Sequence, residues 1–139
     1  MTDLIITADD IDADGVYTPS TSLEVHGNLI VEEELGVVRV VGSIVVSGYI
    51  YAKAGSGIEA GSGIEAGFGI KAGYSIEAGD GIEAGSGIEA GLGIKAGWGI
   101  EAGDGIEAGC GIKAVEGIKA GDGIEAGGGI EAEIGRAHV

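Results

Sequence analysis

The sequence predicts an all-β fold, in which the chain winds as a single parallel β-solenoid. From residue 55 to residue 132 the unit Ala-Gly-x-Gly-Ile-Glu/Lys recurs, and its isoleucines follow one another in six-residue steps from Ile58 to Ile130. A six-residue unit with one large apolar side chain cannot bury that side chain alone, so the units must stack as coils. The 139 residues include 31 glycines, one proline and 4% aromatic residues, a composition too rich in glycine for an ordinary packed globule.

The segment before the repeat is predicted to form the start of the same solenoid. Residues 1–22 are expected to be an N-terminal cap, because an uncovered end coil presents unpaired N–H and C=O groups. Residues 23–54 are expected to form less regular opening β coils, because short runs of Val, Ile and Leu alternate there with single glycines. These glycines are Gly27, Gly36, Gly42 and Gly48.

Each position of the repeat has a predicted place in the coil. In a strand of sequence Gly-Ile-Glu-Ala-Gly the side chains alternate, so Ile and Ala point inward while Glu or Lys points to water. The Gly-x-Gly segment makes the bend, where glycine permits a positive φ and a close approach between coils. The residue between the two glycines varies widely in size and polarity, so it must face out. It is Ser62, Phe68, Tyr74, Asp80, Ser86, Leu92, Trp98, Asp104, Cys110, Glu116 or Asp122.

The number of hexapeptides in one coil is open between three and two. The Ile-Glu spacing resembles the hexapeptide-repeat family, and this resemblance, which covers over half of the chain, implies a triangular left-handed β-helix. The chain departs from the family by carrying Phe68, Tyr74, Asp80 and Trp98 where that family has a small residue two positions before the aliphatic one. The triangular coil is nevertheless preferred.

The competing coil is a flattened two-sheet solenoid of twelve residues per turn, and the charges favour it. A twelve-residue register stacks glutamates and lysines in alternation, and opposite charges on neighbouring strands stabilise by about 0.2–1 kcal/mol per pair. These residues are Glu59, Lys71, Glu83, Lys95, Glu107, Lys119 and Glu131. An eighteen-residue register brings more glutamates beside one another.

Residues 133–139, Glu-Ile-Gly-Arg-Ala-His-Val, leave the repeat abruptly. They can be back-translated as GAG ATC GGA AGA GCA CAC GTC, a string that resembles a common short-read sequencing adapter. We therefore expect a non-native tail at 133–139, and a natural protein that continues beyond it. The alternative is a degenerate capping coil.

The charge of the chain excludes two classes of partner. A formal net charge of −16 without a basic stripe repels phosphate backbones and anionic lipids, so we expect no nucleic acid and no membrane as a partner. No apolar run approaches the roughly 20 residues that span a bilayer, and the first residues, Met-Thr-Asp-Leu, lack the basic start of a secretory signal. Cys110 is the single cysteine and forms no internal disulfide.

Two groups of residues are candidate sites. Asp10, Asp12 and Asp14, followed by Gly15, resemble the opening of a calcium loop of the EF-hand type, although Thr21 stands where the closing glutamate belongs. The second group is a possible contact surface, because exposed aromatic residues are enriched at interfaces. It consists of Phe68, Tyr74, Leu92 and Trp98.

The functional prediction is a non-enzymatic structural or surface-presentation β-solenoid that self-associates through its end or its face and needs no cofactor. The irregular opening coils distantly resemble polymer-forming bactofilin-like β-helices, which implies polymerisation. One alternative is a binding module such as a phage fibre or adhesin segment. Another is a relic of the hexapeptide acyltransferases, for which His26 is the single histidine before residue 133, and a deep pocket beside it would favour this alternative.

Overall fold

A computed structural model describes residues 2–132 and the backbone of residues 137–138. The strands, numbered in chain order, form three parallel sheets. Sheet 1 contains β1 (Leu4–Ile6), β3 (Leu29–Val31), β6 (Ile50–Ala52), β9 (Ile70–Ala72), β12 (Ile88–Ala90), β15 (Ile106–Ala108) and β18 (Ile124–Ala126). Sheet 2 contains β2 (Leu23–Val25), β5 (Ile44–Val46), β8 (Ile64–Ala66), β11 (Ile82–Ala84), β14 (Gly99–Ala102), β17 (Gly117–Ala120) and β20 (Ala137–His138). Sheet 3 contains β4 (Gly36–Val40), β7 (Ser56–Ala60), β10 (Ile76–Ala78), β13 (Ile94–Ala96), β16 (Gly111–Ala114) and β19 (Gly129–Ala132).

The coil has three sides and, within the repeat, eighteen residues per turn. Ile76 pairs in parallel with Ile58 on one neighbouring strand and with Ile94 on the other. The predicted all-β solenoid and its triangular cross-section are thereby confirmed, and about six coils stack along its length. The twelve-residue, two-sheet alternative is wrong. The handedness of the coil stays a prediction.

The charge pattern that favoured the twelve-residue coil does not form. In the eighteen-residue register Glu83 lies opposite Glu65 on one side and Glu101 on the other. Glu89 lies between Lys71 and Glu107. The eighteen-residue register therefore forms against the preference of the surface charges. Burying one isoleucine stabilises by about 1.5–3 kcal/mol, whereas a charge pair across two strands contributes about 0.2–1 kcal/mol.

The interior consists of an isoleucine ladder and an alanine ladder on each sheet, as predicted. Every isoleucine of the six-residue series from Ile58 to Ile118 is at most 2% exposed, and the alanines two positions later are buried beside them. The glutamates and lysines between them point outward. Each strand of three residues, Ile-Glu-Ala or Ile-Lys-Ala, thus contributes one large and one small side chain to the core.

The two glycines of each corner have different roles. A Cβ placed on the first glycine would meet the carbonyl oxygen of the coil before, as at Gly91, where Gly73 O is 2.2 Å away. A Cβ on the second glycine would be much less crowded, as at Gly93, where the nearest atom, Gly111 O, is 3.4 Å away. Ser75 replaces the second glycine in one corner, and Val115 replaces the first glycine in another. Close approach of the backbones therefore favours glycine at the first position, and the corner at Val115 is the exception.

The predicted positive φ is absent from nearly all of these corners. Within the described residues, the corner glycines of the repeat with a φ between +20° and +160° are Gly55, in its first corner, and Gly129, in its last. The remaining glycines with positive φ, Gly15, Gly27 and Gly36, precede the repeat. The bends of the repeat are accordingly made mostly with ordinary backbone conformations. Glycine is favoured there because it has no Cβ to collide with the backbone of the neighbouring coil.

The opening coils are wider than the repeat. Leu23 pairs with Ile44 and Ile44 pairs with Ile64, which are steps of 21 and 20 residues. Part of the extra length is the loop at residues 32–35, which places Glu34 at a φ of 61°. The loop is held by Ser56, whose buried hydroxyl donates to Glu32 O and accepts a hydrogen bond of 3.0 Å from Leu35 N. Ser56 thus joins the loop to the first regular strand of sheet 3.

Ser56→Ala is expected to lower the free energy of unfolding by about 1–3 kcal/mol, because two backbone groups lose a buried partner. Chemical denaturation followed by circular dichroism measures the change. Ser62→Ala is the matched control, since Ser62 is half-exposed on a corner. Equal midpoints for the two variants would show that the Ser56 hydroxyl does not hold the loop.

The N-terminal segment pairs with the first coil on sheets 1 and 3. Residues 4–6 of the predicted cap are strand β1, which pairs with β3. A 3-10 turn at Ala8–Asp10 follows, and an antiparallel bridge joins Ile11 to Tyr17. Val16 then forms a parallel bridge with Arg39 at the edge of sheet 3. Across the described residues, no helix has the length and apolar character needed to cross a membrane.

Candidate functional surfaces

The aspartates of the predicted calcium loop are engaged in local hydrogen bonds. Asp10 Oδ2 accepts from Thr7 N at 2.9 Å and caps the 3-10 turn. Asp12 Oδ1 accepts from Asp14 N at 2.9 Å and from Val16 N at 3.0 Å. In the part of the chain with described side chains, no group of three or more His, Cys, Asp or Glu residues is placed to hold a metal ion. The carboxylates of Asp10 and Asp12 therefore have a structural role, and calcium binding stays a prediction without geometric support.

Tyr17 closes this N-terminal turn. Its side chain is buried, and burial, followed by the negative charge of Asp10, raises the pKa of the phenol above its usual value. A raised pKa keeps the phenol neutral near pH 7, which suits a buried side chain. Tyr17 therefore packs the N-terminal segment against the core of the solenoid.

The exposed apolar residues do not form one surface. Phe68 and Trp98 are each 62% exposed, but Phe68 lies on the corner between sheets 2 and 1, and Trp98 on the corner between sheets 3 and 2. Tyr74 and Leu92 occupy neighbouring coils on the third corner, between sheets 1 and 3, where Leu92 N donates to Tyr74 O at 3.1 Å. The structure thus brings two of the four predicted contact residues together and separates the other two.

A column of glutamates follows the outer face of sheet 2. Glu65, Glu83 and Glu101 occupy successive coils, and Lys119 comes next. The pKa of Glu83 is raised by partial burial, by a hydrogen bond with the Glu101 side chain, and by the negative charges of Glu65 and Glu101. The column therefore stores electrostatic repulsion that protonation of Glu83 relieves.

Glu83→Gln is expected to raise the melting temperature at pH 7 by about 1–3 °C and to have no effect at pH 3. The pKa of Glu83 in the folded chain lies above its unfolded value, so the folded chain binds this proton more readily. Its contribution to stability is present below the unfolded pKa and is lost as the pH rises through the folded pKa. Thermal unfolding across pH 3–8 measures this difference.

Glu89→Gln is the control, because Glu89 has one lysine and one glutamate as neighbours and their effects oppose each other. If the Glu83→Gln variant and the original chain have the same melting temperature at every pH, the glutamate column contains no such repulsion.

A shallow groove runs beside the glutamate column. It has a volume of about 720 Å³ and is lined by Glu24, His26, Glu65, Glu83, Glu101 and Lys119, among others. His26 is exposed at its N-terminal end. Grooves of about 600 and 610 Å³ lie along sheet 1. The groove near His26 is therefore one of several similar grooves along the outward rows of sheets 1 and 2.

Sequence reasoning missed the charges that face one another on sheet 3. Their order becomes visible only when the chain is read in steps of eighteen residues, and the choice between eighteen and twelve was open. The predicted non-native tail at 133–139 lies outside the residues whose side chains the structure describes. Comparison of the chain with protein-family models, with curated proteins and with solved structures finds no match.

Proposed function

We propose that the chain is a non-enzymatic structural β-solenoid, an acidic rod that spaces or presents other elements and associates end to end with further copies. One observation carries this proposal. The isoleucine ladder is buried as far as Ile118, but Ile124 is only half-buried and Ile130 is 42% exposed. The apolar surface of Ile124 and Ile130 favours contact with another apolar surface, either a second copy of the solenoid or a further coil of a longer chain.

The strands at this end support the same proposal. β18 and β19 are the last strands of sheets 1 and 3 in the described order. An edge strand presents unpaired N–H and C=O groups, which are a template for pairing with another chain. A second copy of this solenoid offers strands of matching length and spacing. The short resemblance to polymer-forming bactofilin-like β-helices belongs to this proposal as well.

The binding-module and acyltransferase alternatives have less support. A binding surface would place its exposed aromatic residues on one face, whereas Phe68, Trp98 and the Tyr74–Leu92 pair occupy three different corners. An acyltransferase would enclose a pocket around a general base. His26 lies instead at the end of an open groove.

End-to-end association is tested by light scattering over a salt series. The net charge of −16 opposes association at low salt, and screening shortens this repulsion to about 8 Å at physiological ionic strength. Scattering is therefore expected to grow as salt is added, and Ile130→Glu is expected to prevent that growth.

Phe68→Glu is the matched control, since it adds the same charge at an exposed apolar residue away from the end. Scattering that is independent of salt in the unaltered chain, or equal in the two variants, would contradict association through this end.

A further inference from the structure

The outer face of sheet 3 differs from the other two faces in its charge. Its outward residues form one row across six coils, with one residue from each strand. In order they are Arg39, Glu59, Glu77, Lys95, Lys113 and Glu131. We call this the charged row. It contains three basic and three acidic residues and is neutral, although the chain carries a net charge of −16.

The other two faces are acidic or mixed. Among the residues with described side chains, the outward row of sheet 2 contains four glutamates, one valine and one lysine. That of sheet 1 runs from Ile5, Ile30 and Tyr51 through Lys71 to three successive glutamates. Both rows carry a net negative charge, which opposes the approach of the same row of a second copy. Sheet 3 is the face that a second copy can approach without this repulsion.

The order of charges in the row is self-complementary. Read in one direction the signs are plus, minus, minus, plus, plus, minus. Read in the other direction they are minus, plus, plus, minus, minus, plus, so each position faces its opposite. Arg39 faces Glu131, Glu59 faces Lys113, and Glu77 faces Lys95.

From this order we propose that sheet 3 is the interface of a symmetric dimer, in which a second copy of the chain lies face to face with its coil axis antiparallel. The two-fold axis runs along the strands, midway between β10 and β13. The contact is isologous, so Glu77 of each copy meets Lys95 of the other. This inference rests on the proposed structural, self-associating role and names a lateral face for it.

The charges also select one arrangement among the alternatives. Parallel coil axes would place each residue opposite its own copy, like charge on like charge. An antiparallel dimer shifted by one coil brings Glu77 onto Glu77 and Arg39 onto Lys113, or in the other direction Lys95 onto Lys95 and Glu59 onto Glu131. Like charges placed in opposition suppress wrong registers. The unshifted antiparallel dimer is the arrangement in which every pair is favourable.

Contacts within each copy are compatible with this dimer. Arg39 Nε lies 2.7 Å from Glu59 Oε2, and Lys113 Nζ lies 3.6 Å from Glu131 Oε2. These four side chains remain between 25% and 63% exposed. In the dimer the first ion pair of one copy faces the second ion pair of the other with reversed polarity, so each charge gains a second opposite neighbour.

Apolar contact adds to the edge of the interface. Tyr74 and Leu92 precede β10 and β13 and border sheet 3 on the corner with sheet 1. They are 40% and 46% exposed. The same two-fold axis places Tyr74 of one copy beside Leu92 of the other. The two neighbouring residues of the predicted contact surface thereby acquire a partner.

The interface is small, so the dimer is weak. Six strands about 4.8 Å apart give a row about 24 Å long, and a face roughly 15 Å wide then buries on the order of 700 Å² over both copies. Stable complexes bury about 1,200–2,000 Å². The measurement therefore uses high protein concentration. It compares variants in which charges are reversed, because the dimer's affinity alone is too low to identify the interface.

Sedimentation equilibrium tests the proposal at 0.02–1 mM protein under reducing conditions, which prevent Cys110 from forming an intermolecular disulfide. The measurement is made in Ile130→Glu chains of residues 1–139, so that association through the end does not contribute. Lys95→Glu and Glu77→Lys are each expected to weaken the dimer at least tenfold. Each puts like charges at positions 77 and 95, and the two-fold axis creates this repulsive contact twice in the dimer. A mixture of the two variants is expected to form a heterodimer, and Glu77→Lys/Lys95→Glu in one chain is expected to restore the homodimer.

Lys119→Glu is the control, with the same charge change on sheet 2. Thermal melts show that each variant is folded. A dimer that resists both single variants, or a monomer at every concentration in the Ile130→Glu chain, would overturn the lateral interface. After either of these two outcomes, association of the unaltered chain that grows with salt would still support the end contact. If that salt-dependent association were absent, it would contradict the end contact and leave the lateral interface unaffected.

Discussion

Ile94→Asp is expected to abolish the cooperative unfolding transition. Ile94 is 1% exposed and lies in the ladder between Ile76 and Ile112. The substitution removes an apolar contribution of about 1.5–3 kcal/mol and places a carboxylate where it has no partner. A loss above 4–5 kcal/mol is exceptional for one residue and is a large part of the 5–15 kcal/mol that stabilises a typical domain. Thermal denaturation followed by circular dichroism measures it.

Two further variants make the Ile94 result interpretable. Ile94→Val keeps the position apolar and is expected to cost about 0.5–1.5 kcal/mol. Glu89→Gln changes an exposed position of β12, the strand that precedes Ile94 in the chain, and is expected to leave the melting temperature unchanged. If Ile94→Asp and Glu89→Gln melt together, the assignment of inward and outward positions is wrong.

Gly91→Ala is expected to destabilise the chain by about 2–3 kcal/mol or more, although it adds a single methyl group. Its Cβ would lie 2.2 Å from the backbone oxygen of Gly73, and backbone cannot move aside as a flexible side chain can. Overpacking of this kind costs about 1–3 kcal/mol in ordinary cores. Here the strain also lengthens the distance between two coils, so hydrogen bonds of the corner are lost with it. Urea denaturation gives the change in free energy.

Gly93→Ala is the matched control two residues away. Its Cβ would be 3.4 Å from Gly111 O, an ordinary contact. Restricting the unfolded chain then stabilises by about 0.4–1 kcal/mol, so this variant is expected to melt at or above the original temperature. Equal destabilisation by the two alanines would show that the corner glycines are equivalent, contrary to the close approach at the first of them.

The inward and outward positions could be predicted from the sequence because they depend on local alternation. Ile58 and Ala60 are two residues apart in one strand, and a period of two decides which side of the sheet they occupy. The residue between the corner glycines was predicted to face out for the same kind of reason, since Phe68 and Asp80 cannot share one buried site. The structure confirms these positions.

The number of residues per coil could not be settled in the same way. It depends on contacts between residues eighteen apart, and the surface charges of the repeat favoured twelve. Such charges contribute little compared with the ladder, so Glu83 is stacked between two further glutamates. The pattern of surface charges is therefore weak evidence for the number of residues per coil when every repeat unit buries the same residue types.

Two other features depend on distant parts of the chain. Ser56 has the same residue type as Ser62 and differs from it only because the loop at residues 32–35 lies over it. The first and second glycines of a corner are the same residue type and differ only in which coil they face. Neither distinction has a local signal. For the glycines, the repeat contains one substitution of each kind, Ser75 at a second glycine and Val115 at a first.

A thiol-bridging measurement tests the three-sided coil of eighteen residues most directly. In a Cys110→Ser chain we compare Glu77→Cys/Lys95→Cys, eighteen residues apart, with Glu83→Cys/Lys95→Cys, twelve residues apart. Dibromobimane becomes fluorescent when it bridges two nearby thiols, and dilute protein prevents bridging between chains. The eighteen-residue coil places the first pair on adjacent strands about 4.8 Å apart and the second pair on different sheets. Rapid bridging of the first pair alone is the expected result, and preferential bridging of the second pair would contradict the fold.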